Sequence, residues 1–193
     1  MPDTGRVRRL ALLLMPLALV AACSGHIGAG NPSGEDPHNL TLSSGVFPVD
    51  QRKPAPSLSG TTLDGQQLDT GAMLGKVVVV NFWASWCAPC LAEARNLNDV
   101  YAQTHASGVE FVGVDIRDDT SKGRAFQRTK RVPYPSLFDD DGTLLLKFRG
   151  QAPQNPPTTL VIDRKGRVAA RFVQGVTQTQ LLVPVQLIAK EAA

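Results

Sequence analysis

The chain has 193 residues, 42% of them hydrophobic, which suffices for one core of ordinary size once the ends are set aside. Its formal net charge is +3, but removing residues 1–22 takes away Arg6, Arg8, Arg9 and Asp3, so 20 basic against 17 acidic becomes 17 against 16, a net of about +1. That balance, with no interleaving of bases and aromatics, excludes a nucleic-acid signature.

Residues 1–22 have the grammar of an export signal: basic Arg6 to Arg9, an apolar run over 10–20, then small residues. The run is too short to span a bilayer comfortably. It ends in Val20-Ala21-Ala22-Cys23, which resembles the lipobox of bacterial lipoproteins and implies lipidation of Cys23. Several acyl chains on one residue make a stable anchor. Ordinary signal cleavage is the plainer alternative, and Arg8-Arg9 leaves the choice of Sec or twin-arginine export open. Residues 23–53 turn to Gly, Pro, Ser and Asn without hydrophobic period and read as a tether with a reach of about 30 Å. His26 and His38 read as solvated tether residues, because no partners stand at zinc-like spacing.

A folded domain is expected over 54–193. Leu63-Asp64-Gly65-Gln66 carries an Asp-Gly hairpin signal, and Leu74-Gly75-Lys76 leads into the apolar run 77–83. So continuous a run predicts a strand buried on both faces, central in a sheet flanked by helices. From Cys87 a helix continues through Leu91, Ala94, Leu97, Val100 and Tyr101 and fades near His105. Gly108 marks a turn, 109–116 a second strand, and 121–130 a polar helix. That helix carries Lys122, Arg124, Arg128 and Lys130, with Arg131 next, read as a solvated face in preference to a docking surface. Asp139-Asp140-Asp141-Gly142 lacks the later ligands of a calcium loop and reads as a turn. A hairpin follows, 156–162 and 167–173 around Asp163-Arg-Lys-Gly166, then a helix over 177–192 that Pro184 should kink or shift. The order β-α-β-α-β-β-α fits a mixed α/β sheet with helices on both faces and an N-terminal hairpin extension.

Trp86-Cys87-Ala88-Pro89-Cys90 joins the central strand to its helix. A cysteine at a helix N-terminus has a reason to ionise, since orphan N–H groups and the positive dipole end favour thiolate, the species that attacks disulfides. One turn of helix brings the second sulfur within bonding range, so a mixed disulfide can be resolved internally. Cys87 is expected to be the exposed nucleophile and Cys90 the resolving thiol, a two-electron redox centre that needs no cofactor. A zinc site would need two further ligands, which are absent. Trp86 is placed to lid the dithiol, Trp83 belongs to the core by alternation, and Pro89 stiffens the first turn.

With these residues in place the chain resembles the thioredoxin fold and, within it, the membrane-associated TlpA/ResA-like thiol-disulfide oxidoreductases, including those serving cytochrome c maturation. The resemblance covers about 54–193 and rests on Phe82-Trp83-Ala84-Ser85-Trp86-Cys87-Ala88-Pro89-Cys90, on Glu93 and on Pro157-Thr158-Thr159. It implies that Glu93 tunes the thiols and shuttles a proton. It also implies that Pro157 is a cis-proline whose loop, with Thr158 and Trp86, meets the client peptide. Asn81 departs from the buried Asp of cytosolic thioredoxins, and Pro156 is an unusual residue before the cis-proline.

The resemblance further implies a reductase of exported client disulfides at the outer face of the cell membrane, apocytochrome c among the candidate clients, supplied with electrons by a membrane thiol carrier. An oxidant running the same chemistry backwards and a redox-inactive binding lipoprotein are the alternatives. Ala88-Pro89 leans towards the reducing end. A peroxidase is less compatible, since peroxidatic cysteines lie in Thr-x-x-Cys and here Ala84-Ser85-Trp86 precedes Cys87.

Overall fold

The computed structural model describes residues 44–192, so the export signal, Cys23, His26 and His38 lie outside the described residues. The chain enters the fold earlier than its composition predicts. β1 (Gly45–Val46) pairs antiparallel with a late strand, Gly45 opposite Arg171. Phe47 packs on the core, and after one 3₁₀ turn (Val49–Gln51) the Arg52 guanidinium is buried against Asp163 and Glu191. Residues 45–53 therefore belong to the fold, ahead of the expected start at Pro54. One aromatic and one cationic anchor were hidden in a stretch whose average composition is that of a tether.

β2 (Ser59–Thr61) and β3 (Gln67–Asp69) form the expected hairpin as a separate two-stranded sheet, its turn closed by Gly65 at φ 84°. Next come β4 (Val77–Trp83), α1 (Ala88–Thr104), β5 (Val109–Ile116) and α2 (Thr120–Lys130). β6 (Ser136–Asp139), α3 (Thr143–Leu146), β7 (Thr158–Ile162), β8 (Val168–Val173) and α4 (Gln178–Ala189) complete the domain. The main sheet runs β1-β8-β7-β4-β5-β6; β4, β5 and β6 are mutually parallel, and β7 joins β4 antiparallel.

β6 and α3 are additions to the predicted order. Ser136-Leu-Phe-Asp139 is too short to show a period, and it is held as an edge strand by pairing with β5. The acidic run beyond it is indeed a turn, with Gly142 at φ 77°. Asp139 has a structural task there: its carboxylate accepts the N–H groups of Leu144 and Leu145 at the start of α3. α4 keeps its expected start, fixed by a Thr177/Gln180 capping box, and continues through Pro184, which has no N–H to give the Gln180 carbonyl.

Alternation along β4 divides the core into two. Val78, Val80 and Phe82 meet Leu58, Leu145 and Phe148 on one face; Val77 and Val79 meet Leu97 and Val100 of α1 and Leu181, Val185 and Ile188 of α4 on the other. Each such side chain, fully buried, contributes roughly 1.5–3 kcal/mol. The long helices thus gather on one face, and short α3 with its following loop closes the opposite one. All seven residues of β4 are buried, so the strand is a rigid rail that delivers the Cys87 loop.

Candidate active site

β4 ends at Trp83, the chain turns, and α1 begins with Cys87 as its N-cap. Cys87 and Cys90 are joined, with S–S 2.06 Å and Cα–Cα 5.3 Å. Cys87 Sγ also accepts the N–H of Cys90 at 3.2 Å, one of the donors that a helix start leaves without a backbone partner. Pro89 stands in the first turn, where no N–H is missed. One expectation needs correction: in the disulfide form Cys87 is only 4% exposed and Cys90 1%. Both cysteines lie in a buried cluster with Trp83, Ala84 and Ala94, and what solvent meets is the rim made by Trp86, Ala88 and Pro89.

The two tryptophans divide as the alternation suggests. Trp83 is buried, stacked on Phe126 at 4.2 Å, with Nε1 donating to Ser136 Oγ. Trp86 is 58% exposed and its Nε1 donates to the Arg117 carbonyl at 3.0 Å. Beside it Ser85 donates both its N–H and its hydroxyl to Asp118. The chain just after β5 thus holds the redox loop from below, a role that no spacing in the sequence reveals.

Glu93 lies one turn beyond Cys90 on α1 and is buried. Its Oε1 accepts Asn81 Nδ2 at 2.9 Å and its Oε2 accepts the Val176 N–H at 3.0 Å. Burial pushes this carboxyl up to about 7, against the two hydrogen bonds that favour its ionised form. Asn81 Nδ2 also donates to Thr159 Oγ1 at 3.0 Å, so helix, central strand and β7 meet in one network.

The Pro156–Pro157 peptide is cis. Register places Thr158 opposite Phe82 and Thr159 opposite Asn81, so the Pro157 loop lies at the same end of the sheet as the disulfide. Pro157 and Thr158 are both buried; Thr158 Oγ1 donates to the Asn155 carbonyl, and the Pro157 carbonyl accepts the Gln174 N–H. Sequence reasoning missed Asp115, a wholly buried carboxyl on β5 whose two oxygens accept no hydrogen bond and whose acidic neighbour is Asp118. Burial first, then the charge of Asp118, pushes it up to about 8. Among the described residues no group of three or more His, Cys, Asp or Glu is arranged to hold a metal.

A helix-capping disulfide on a central buried strand, with a cis-proline loop on the neighbouring strand, defines a thioredoxin-fold dithiol-disulfide exchanger. The chain belongs to the AhpC/TSA family, whose model matches residues 52–171, and is a TlpA/ResA-like thiol-disulfide oxidoreductase of the ResA and DsbE type. It is 30% identical over 146 residues to the thiol-disulfide oxidoreductase ResA of Bacillus thuringiensis subsp. konkukian, covering 74% of this chain and 83% of that one. It is 35% identical over 163 residues to the thiol:disulfide interchange protein DsbE of Escherichia coli K12, covering 82% and 80%. The crystal structure of a secreted thiol-disulfide isomerase from Corynebacterium glutamicum superposes with a TM-score of 0.73 at 26% identity, over 83% of this chain and 96% of that one.

Proposed function

We propose that this protein is a lipid-anchored reductase of disulfides in exported proteins, working at the extracytoplasmic face of a bacterial cell membrane. The Cys87 thiolate attacks a client S–S bond, forming a mixed disulfide and releasing one client thiolate. Cys90, its proton taken up by Glu93, then attacks Cys87 Sγ. The second client thiolate leaves, the client has gained two electrons, and the Cys87–Cys90 disulfide remains. A membrane dithiol carrier reduces it again, passing its own two electrons and becoming a disulfide. Clients dock between the exposed ring of Trp86 and the loop carrying Pro157 and Thr158. Apocytochrome c before haem attachment is the client class that the family resemblance favours.

The observation that carries the reducing direction is the burial of Glu93 one turn behind Cys90. A negative carboxylate held there disfavours a neighbouring thiolate and hence the reduced form, which moves the couple towards thioredoxin. Equilibration of the soluble domain with glutathione tests this. A potential near about −270 mV is expected; one near about −120 mV, as in strongly oxidising members of the fold, would make the protein an oxidant. A Cys90→Ala variant that traps no client as a mixed disulfide would point instead to a binding protein. The anchor is tested by Cys23→Ala, which should move the protein from the membrane to the soluble fraction of cells.

A further inference from the structure

We propose that Arg117 is a positioning residue that sets the gap between the two loops a client must pass between, and thereby selects protein disulfides over small ones. The inference rests on the docking of clients between Trp86 and the Pro157 loop. Arg117 touches both walls of that gap. Its carbonyl accepts Trp86 Nε1 at 3.0 Å, and its Nη1 donates to the Gln154 carbonyl at 3.0 Å, three residues before Pro157.

The backbone is arranged for this at a cost. Arg117 has φ 49°, a left-handed conformation that disfavours any residue with a Cβ. Among the described residues only Arg131 and Gln174 share that feature without being glycine. Arg131 ends α2 in the ordinary left-handed cap, and Gln174 gives its N–H to the Pro157 carbonyl. Two of the three strained positions therefore bear on the Pro157 loop. The Arg117 N–H donates to Asp139 at the edge of the sheet, which fixes the turned backbone. Its guanidinium lies over Gly142, whose φ of 77° calls for glycine in its own right.

A protein disulfide brings flanking chain that must fit between Trp86 and residues 154–157; a small disulfide needs only to reach Cys87. Loss of the arm should thus be felt in client binding and not in the sulfur chemistry. The test is steady-state reduction of insulin and of hydroxyethyl disulfide by wild type, Arg117→Gly and Arg117→Lys. Glycine suits φ 49° and keeps the carbonyl that holds Trp86, removing only the arm.

Expected for Arg117→Gly is a rise in KM for insulin of about fivefold, the worth of one exposed hydrogen bond, with kcat and the small-disulfide rate unchanged. The redox equilibrium with glutathione should stay as in wild type, and Arg117→Lys should recover most of the KM. Arg117→Asn, whose short side chain also tolerates the left-handed backbone but lacks the arm, should show the same split, so the proposal does not hang on the glycine variant alone. Equal losses on both substrates, or no loss on insulin, would overturn it. Wild-type protein inert towards insulin but active on the small disulfide would overturn both this inference and the docking reading beneath it.

Discussion

Asn81 Nδ2 stands 2.9 Å from Glu93 Oε1, and this contact explains why an amide sits on the central strand beneath the dithiol. A buried carboxylate is tolerable only when donors face it, and Glu93 has two, the Asn81 amide and the Val176 N–H. An acid at position 81 would set two carboxyls against each other. Asn81→Asp is therefore expected to cost about 3 kcal/mol at neutral pH, because it removes a donor and adds a like charge. Urea unfolding at pH 7 and at pH 5 checks this; the loss should shrink at the lower pH as the pair takes up a proton.

Glu93 itself sets a pH dependence with a defined sign. Its carboxyl is raised from 4.5 to about 7, so the folded protein holds the proton longer than the unfolded chain. The stability it contributes is complete below pH 4.5 and lost as pH rises through about 7. Glu93→Gln should flatten stability across that window while lowering it overall, since the amide NH₂ must face one of the two N–H donors. In the redox couple, removing the carboxylate relieves the thiolates, and the potential above pH 7 should rise by about 30 mV. A potential unchanged by the substitution would separate Glu93 from the sulfur chemistry.

The redox motif was legible because local sequence makes it. An apolar strand, a dithiol and a helix with proline in its first turn follow one another without a gap, and the cis-proline loop was legible through resemblance. What escaped was set by pairing across long sequence distances. β6 has too few residues for a period and exists by pairing with β5, and Arg52 is structural only because Asp163 and Glu191 fold back to it. Arg117 and Asp118 reach the redox loop from the end of a different strand. No spacing rule connects positions 85 and 118.

Asp115 gives a second pH effect. Its carboxyl is wholly buried, its oxygens accept no hydrogen bond, and the α-carbon of Gly123 closes over it so tightly that an added Cβ would overlap Oδ2. Raised from 3.8 to about 8, it keeps its proton at neutral pH, and its contribution to stability, complete below pH 3.8, is lost progressively as pH rises to about 8. Asp115→Asn, neutral at every pH, should be close to wild type in stability below about pH 4 and more stable by roughly 4–6 kcal/mol at pH 9. Thermal melts of both proteins across that range check it. Parallel pH profiles for the two would remove Asp115 as the source.

The early start of the fold is tested at Arg52. Its side chain is 3% exposed, and the guanidinium lies between the side chains of Asp163, 4% exposed, and Glu191, 35% exposed. Replacing it by methionine keeps the stem and removes the charge. Asp163 would retain Arg167 and the N–H groups of Lys165 and Arg167, so the carboxylate is not left bare. The expected loss for Arg52→Met is accordingly about 2 kcal/mol, below that of a fully orphaned buried charge. Glu191→Gln, at the half-exposed end, should cost less than about 1 kcal/mol and less still in high salt. Burial works against ionisation of Asp163, yet its hydrogen bonds from Arg167 and Arg52 hold its carboxyl below the ordinary range. Its contribution is therefore present at neutral pH and lost as pH falls towards strong acid. Were residues 44–53 only a tether, Arg52→Met would melt with the wild type at every pH, and acid sensitivity would not change.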